Sequence, residues 1–437
     1  MKRIVSVLSV LCFALILSAC GSGAGESADA DSKEAETQIT IWTFFDRNMP
    51  GYYYLFEWDE LEEKYGVDIE VTNYSSDEME NKLLLALASG ELPDAFYTEG
   101  GTYIGDFIDA GVCAQTDTYL RDLNLSEVYE TEYDDGKSYV IPCMPREYVL
   151  CYYDDSLFEE MGLEIPETWS DLKKLIESVG EYNNENGTDI SAIALGEKDG
   201  YQGNLLLDIL VSNEDPNLFD RLFSKSPDVK TGEFKKAVKK VVKLSKLGAF
   251  SKNYLETGDS EAITNFIHHQ SLILVNSSDI MSHLIYNMAD DFSVGLFPGS
   301  IDENGQYTML GMNYGISNGF CINSSSKDLT LIGNILTDYV RTINDENVRS
   351  GYESILADCD VKSESFVESK LMFSRLVSGA KTHATAGSSV IDRSKKSSWR
   401  SLIKALYGQT ISIPDFLEQC DELFVGEGNS SDDQKLK

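Results

Sequence analysis

Positive charge is scarce in this sequence: 36 Lys and Arg stand against 73 Asp and Glu in 437 residues, a formal net charge of −37. Every nucleic-acid mode needs a basic groove that displaces counterions, so that class is excluded. An anionic membrane surface is disfavoured on the same ground. Cysteine is sparse as well, eight in all, with no C-x-x-C and no zinc spacing. Histidine is limited to four. His268, His269 and His283 lack any H-E-x-x-H or H-x-H frame, and adjacent histidines read as a strand point to opposite faces. No metal and no cofactor is therefore expected. P-loop, G-x-G-x-x-G and G-x-S-x-G patterns are all missing. The pairs Asp134-Asp135 and Asp154-Asp155 read as solvated turns, because adjacency does not set two acids across a scissile bond.

Long apolar runs are confined to the N-terminus. Lys2 and Arg3 precede an apolar stretch from Ile4 to Leu17, followed by Ser18, Ala19 and Cys20. A basic start, a short apolar core and small residues at the end make an export signal. Leu17-Ser18-Ala19-Cys20 resembles the lipobox of bacterial lipoproteins, which implies lipidation at Cys20 and stable anchoring by two or three acyl chains. Cys113, Cys143, Cys151, Cys321, Cys359 and Cys420 remain, expected mostly as buried free thiols, with a Cys143–Cys151 link as the alternative. Residues 21–38 hold no large apolar side chain and read as a flexible tether, and residues after Val425 read as a frayed tail.

What is present is an ordinary globular composition, 42% hydrophobic and 25% charged, long enough for two to three domain-sized units. Gln38 to Phe44 reads as a buried strand. Trp58, Leu61 and Tyr65 recur at helical spacing before Gly66. Val67, Ile69 and Val71 alternate like a half-buried strand. Ser75 and Glu78 form a capping-box spacing ahead of Met79, Leu83 and Leu87, with Gly90 as the stop. Ala95 to Tyr97 is the next strand. This βαβαβ order predicts an α/β fold with an open, largely parallel sheet, in which ligands bind beyond the carboxyl ends of the strands.

LLLALASGELPDAFY followed by FIDAGVCAQTDTYL, and then DGKSYVIPCMPREYVLCYYDDSLFEEMGLEIPETWSDLKKL, resemble the family 1 extracellular solute-binding proteins of ABC importers, which include the maltose-binding proteins. Tyr139, Pro142, Tyr153, Leu157, Phe158, Gly162, Pro166, Thr168 and Trp169 fall in that family's register. The resemblance implies a two-lobed periplasmic-binding-protein-like fold of type II, each lobe a mostly parallel sheet flanked by helices. It places a signal peptide at 1–19, the lipidated Cys and linker at 20–38, an N-terminal lobe at 39–146 and 309–355, and a C-terminal lobe at 147–308 and 356–437. Crossings are expected at 144–149, 307–311 and near Ser354. The chain departs from the pattern at Phe266 to Ile273, where His269 and Gln270 replace the usual Gly and Lys, and no Trp follows.

The implied function is a non-catalytic, monomeric receptor that captures a mono- or oligosaccharide outside the cell and delivers it to the transmembrane subunits of an ABC permease. A sugar offers an apolar face and a rim of hydroxyls, so its site needs aromatic planes edged by acceptors and donors. The candidates are Phe45, Asp46 and Arg47 after the first strand, Glu99 and Tyr103 in the TEGGTY turn, and Glu147 in the crossing. Tyr201, Gln202, Asn204, Asn276, Asp279 and Trp399 come from the second lobe, with Asn313 and Tyr314 as weaker candidates. A non-sugar solute such as a peptide or polyamine, or a surface-anchored carbohydrate-active enzyme, stays as an alternative.

Overall fold

The computed structural model describes residues 37–45, 58–98, 104–126, 132, 133, 135–222, 228–289, 291–312, 318–364, 367–387, 391 and 393–425. Cys20, the linker before Thr37 and the tail after Val425 lie outside them. From Thr37 the chain forms β1 (Thr37–Thr43), α1 (Asp59–Tyr65), β2 (Val67–Asn73), α2 (Ser76–Ser89), β3 (Ala95–Thr98), α3 (Gly105–Asp109), α4 (Asp117–Leu123) and β4 (Val140–Pro142). It continues as β5 (Glu147–Asp154), α5 (Asp155–Met161), α6 (Trp169–Asn186), β6 (Ser191–Ala194), α7 (Tyr201–Ser212), α8 (Leu218–Leu222) and α9 (Gly232–Leu247). Next come α10 (Asp259–Ile267), β7 (Ser271–Ser277), α11 (Met281–Met288), β8 (Phe292–Gly295) and β9 (Thr308–Met312). β10 (Gly319–Ile322), α12 (Leu329–Arg349), α13 (Glu368–Gly379), β11 (Thr382–Thr385), α14 (Arg393–Tyr407) and α15 (Ile413–Val425) complete it.

Short-range chemistry sets many of these boundaries. The capping box forms at the start of α2, where Ser75 N donates to Glu78 Oε2 at 3.3 Å. Thr168 caps α6 by accepting from Asp171 N at 3.2 Å, which explains the P-E-T-W stretch. α5 ends at Gly162 with φ 64°, a left-handed conformation that a Cβ would strain.

The strands make two sheets. The first has the order β2-β1-β3-β10-β4, and the second β11-β9-β5-β7-β6 with β8 also on β5. β1 is parallel to β2 and β3, in keeping with the βαβαβ reading. β10 is antiparallel to β3 and β4, and β5 is antiparallel to β7, β8 and β9. Both sheets are thus mixed rather than mostly parallel. The strands that run against their neighbours, β10 and β5, arrive directly from the other sheet, with no crossover helix to return them in parallel.

Alternation along the strands divides each core into two faces. On β5, Val149, Cys151 and Tyr153 pack with α6, α7 and α9, whereas Tyr148, Leu150 and Tyr152 pack with α10, α11 and α13. In the first sheet, Tyr97 and Phe320 face α12, and Phe96 and Cys321 face α2 and α3. Trp58 stacks on Tyr339 of α12 with centroids 3.8 Å apart and planes 8° apart. The six cysteines beyond Cys20 are free thiols, Cys143 and Cys151 included, and all but Cys359 are buried.

The chain passes from the first sheet to the second at residues 143–146, returns across 313–318, and leaves again between α12 and α13. Most of the segment 307–311 belongs to β9, where Gly311 and Met312 pair with Tyr148 and Glu147 in the second sheet. Two local readings are overturned. Asp154 is not a solvated turn: it is fully buried, accepts from Leu157 N at 2.9 Å and pairs with His269 Nδ1 at 2.8 Å, while Asp155 accepts from Ser293 Oγ at 2.7 Å. His268 and His269 end α10 and turn into β7 rather than lying in a strand, which is how His269 reaches across to β5.

Candidate functional site

Three segments of the second sheet's layer converge where β5 begins and β7 ends. β5 opens with Glu147 immediately after the crossing, and its next residue, Tyr148, donates its backbone N–H to Ser278 Oγ at 3.1 Å. Ser277 Oγ donates to Glu147 Oε2 at 3.5 Å and accepts from Asp279 N at 3.4 Å. Tyr152 Oη fixes the same corner by donating to the Ser277 carbonyl at 2.8 Å. The third segment is the N-terminus of α7, entered through Gly200 and opened by Tyr201 and Gln202. Gln202 is buried, and its Oε1 accepts from Gly196 N at 2.5 Å.

Asp259, at the start of α10, joins this group. Asn276 Nδ2 donates to Asp259 Oδ1 at 3.0 Å, and Asn276 Oδ1 accepts from Ser277 N at 2.8 Å, so one amide orients both the carboxylate and the strand end. Burial pushes Asp259 up to about 6, the charge of Asp279 adds to the rise, and Asn276 and Gln202 oppose it. The Tyr201 phenol is held well above its ordinary range, first by burial and then by the charges of Asp279, Asp259 and Glu147, with Arg400 acting the other way from 5.8 Å off the ring. The charges of Asp279, Asp259 and Glu147, carried by three different segments, thus all act on this one phenol.

The arrangement supplies acceptors on Glu147, Asp259 and Asp279, a phenolic hydroxyl and ring on Tyr201, and an amide on Asn276, which suits a ligand rich in hydroxyl or ammonium donors. Among the described residues, no group of His, Cys, Asp and Glu is set to hold a metal ion.

Of the residues singled out in the sequence, Glu147, Tyr201, Gln202, Asn276 and Asp279 are brought together here. Phe45, Asn204 and Trp399 are placed in the cores. Phe45 is 7% exposed and packs edge-on against Tyr97 at 4.8 Å. Trp399 is 1% exposed, and its Nε1 donates to Asn204 Oδ1 at 2.5 Å. The amphipathic pattern of α14 turns the indole inward, and Asn204 follows because the buried N–H needs an acceptor. Asp46, Arg47, Glu99, Tyr103, Asn313 and Tyr314 lie outside the described residues. Asp259 was missed by sequence reasoning. Gly258-Asp259 looks like an ordinary helix start, and only its position opposite Asn276 distinguishes it.

Comparison with known proteins agrees with this architecture. A family model described as bacterial extracellular solute-binding protein matches residues 47–267, half of the chain. The multiple sugar-binding protein of Streptococcus mutans is 26% identical over 187 residues, 42% of this chain and 44% of that protein, so the match spans less than half of the relative's length. A solved structure from work on xylan utilization by the thermophile Caldanaerobius polysaccharolyticus superposes with TM-score 0.76 and 19% identity, covering 88% of this chain and 99% of that one. A chitin oligosaccharide binding protein does so with TM-score 0.76 and 19% identity, covering 90% and 99%. The chain belongs to the bacterial extracellular solute-binding proteins.

Proposed function

We propose that this protein captures a carbohydrate outside the cell and delivers it to the transmembrane subunits of an ABC permease, without converting it. The observation that carries this reading is the convergence of Glu147, Tyr201, Asn276, Asp259 and Asp279 at one end of the second sheet, a donor-seeking rim beside an aromatic ring. The sugar-binding names of the proteins it resembles support the substrate class. The two sheets form the cores of two lobes, and the crossings at 143–146, 313–318 and between α12 and α13 form the hinge. Asp46, Arg47, Glu99 and Tyr103 complete the site from the first lobe. Ligand makes its full set of contacts only when both lobes meet it, so binding shifts the population toward the closed form, which the permease reads. Cys20 carries the lipid that anchors a monomeric receptor to the outer face of the membrane.

Thermal unfolding against a panel of mono- and oligosaccharides, amino acids, polyamines and metal ions tests the reading. A ligand at about 100 times its dissociation constant adds roughly 2.7 kcal/mol and raises the midpoint. One glycan doing so, unaltered on recovery, is the expected result. A rise with a polyamine or peptide and none with any sugar removes the carbohydrate assignment in favour of a cationic solute on the same carboxylates. Turnover of the glycan removes the receptor reading.

A further inference from the structure

Against a net charge of −37, residues 228–252 hold eight lysines and two acids. Six of the lysines fall on α9, whose apolar face, Phe234, Ala237, Val238, Val241 and Leu244, is buried against the second core. Lys236 and Lys240 are occupied by Glu214, at 3.6 and 2.8 Å. Lys235, Lys239, Lys243 and Lys246 are exposed, and none makes an ion pair among the described residues. Their spacing of four, four and three places them on one stripe of roughly 17 Å along the helix.

We infer that this lysine stripe docks the second-sheet half of the protein on an anionic lipid surface. The acidity of the whole chain does not prevent it. Fields are screened over about 8 Å at physiological salt, so a flat surface senses the nearest charges rather than the total. Of the acids around α9, Glu214 is taken up by Lys236 and Lys240, and Asp421 by Lys230. The choice of lipid over another polyanion rests on the proposed anchor at Cys20. An acylated Cys20, 17 positions ahead of Thr37, brings the body to a bilayer, so the surface on which its lysines act is lipid.

The test uses the chain from Thr37 onward, which contains every described element and packs as one unit without residues 1–36. It is sedimented with vesicles of phosphatidylglycerol and phosphatidylcholine and with vesicles of phosphatidylcholine alone. Binding only to the anionic vesicles, lost between about 50 and 500 mM salt, is expected. The combined change Lys235→Gln, Lys239→Gln, Lys243→Gln and Lys246→Gln is expected to reduce binding at least tenfold. An equal charge change at Lys82, Lys137, Lys327 and Lys362 is expected to leave it intact. Equal losses in both variants, equal binding to both vesicle types, or binding to soluble heparin with none to vesicles overturns the inference. An unchanged thermal midpoint shows that the variant is folded. Cys20→Ala in the full chain, followed by membrane fractionation, tests the anchor separately, so failure of either idea is distinguishable.

Discussion

Tyr148 Oη donates to Glu353 Oε2 at 3.3 Å, joining the start of β5 to a residue 205 positions later in the segment that follows α12. Burial raises the Glu353 carboxyl, while this bond and the nearby Arg146 charge favour its ionised form. Neighbouring Ile355 and Leu356 are tied to the first sheet's layer, through Asn344 on α12 and a bridge to Leu125. The bond therefore spans two of the crossings. Tyr148→Phe is expected to lower stability by about 1 kcal/mol, the ordinary worth of one such hydrogen bond. Denaturant titration of the two proteins checks it, and equal midpoints would show that the bond contributes nothing.

Glu197 is fully buried and accepts from Gly203 N at 2.8 Å. Burial lifts its carboxyl from 4.5 to about 8, with Lys404 and Arg400 giving only partial relief. Because the folded value lies above the unfolded one, folding takes up a proton between them. The contribution of this group is fully present below pH 4.5 and is lost as pH rises through about 8. The slope within that window approaches about 1.4 kcal/mol per pH unit. Glu197→Gln keeps the acceptor oxygen and is expected to flatten the profile. A wild-type slope retained in the variant would place the titrating group elsewhere.

Glu147→Ala and Tyr201→Phe are each expected to weaken capture of the panel ligand by about 1–3 kcal/mol, as for hydrogen bonds to charged or buried groups. Titration calorimetry reads the change directly. Unchanged affinity in both variants would move the ligand away from this end of the second sheet.

Burial pushes the Asp259 carboxyl up to about 6. Ionisation leaves both Asp259 oxygens as charge-assisted acceptors for ligand hydroxyls, whereas protonation turns one of them into a donor, so affinity is expected to fall as pH drops through about 6. Asp259→Asn is expected to bind more weakly at neutral pH and to show no such fall. A variant that still loses affinity over the same range would assign the transition to another group.

Trp399→Ala is expected to cost about 3–5 kcal/mol of stability, the range for deleting a buried aromatic. It also leaves Asn204 Oδ1 without the indole donor. The fraction that folds is expected to bind ligand normally. A binding defect in a stably folded Trp399→Phe protein would instead place the indole in ligand recognition.

Local chemistry was legible along the chain. The export signal, the capping box at Ser75 and Glu78, the glycine stops at 66 and 90 and the alternation in β2 each depend on residues within a few positions, and four of these five lie in the described structure as read. The export signal lies outside it. Glu147, Tyr201, Gln202, Asn276 and Asp279, which meet at this end of the second sheet, were named through the family resemblance rather than through local chemistry.

The rest was decided by packing between segments far apart in sequence. Whether Asp154 was solvated depended on His269, 115 residues away, and whether Trp399 faced ligand or core depended on Asn204, 195 residues away. Asp259 became part of the site only when β7 carried Asn276 to it. Periodicity specifies which face of an element is apolar, and caps specify where it stops. Neither specifies which buried polar group will meet which partner, because that pairing exists only after distant faces have closed on one another and excluded water.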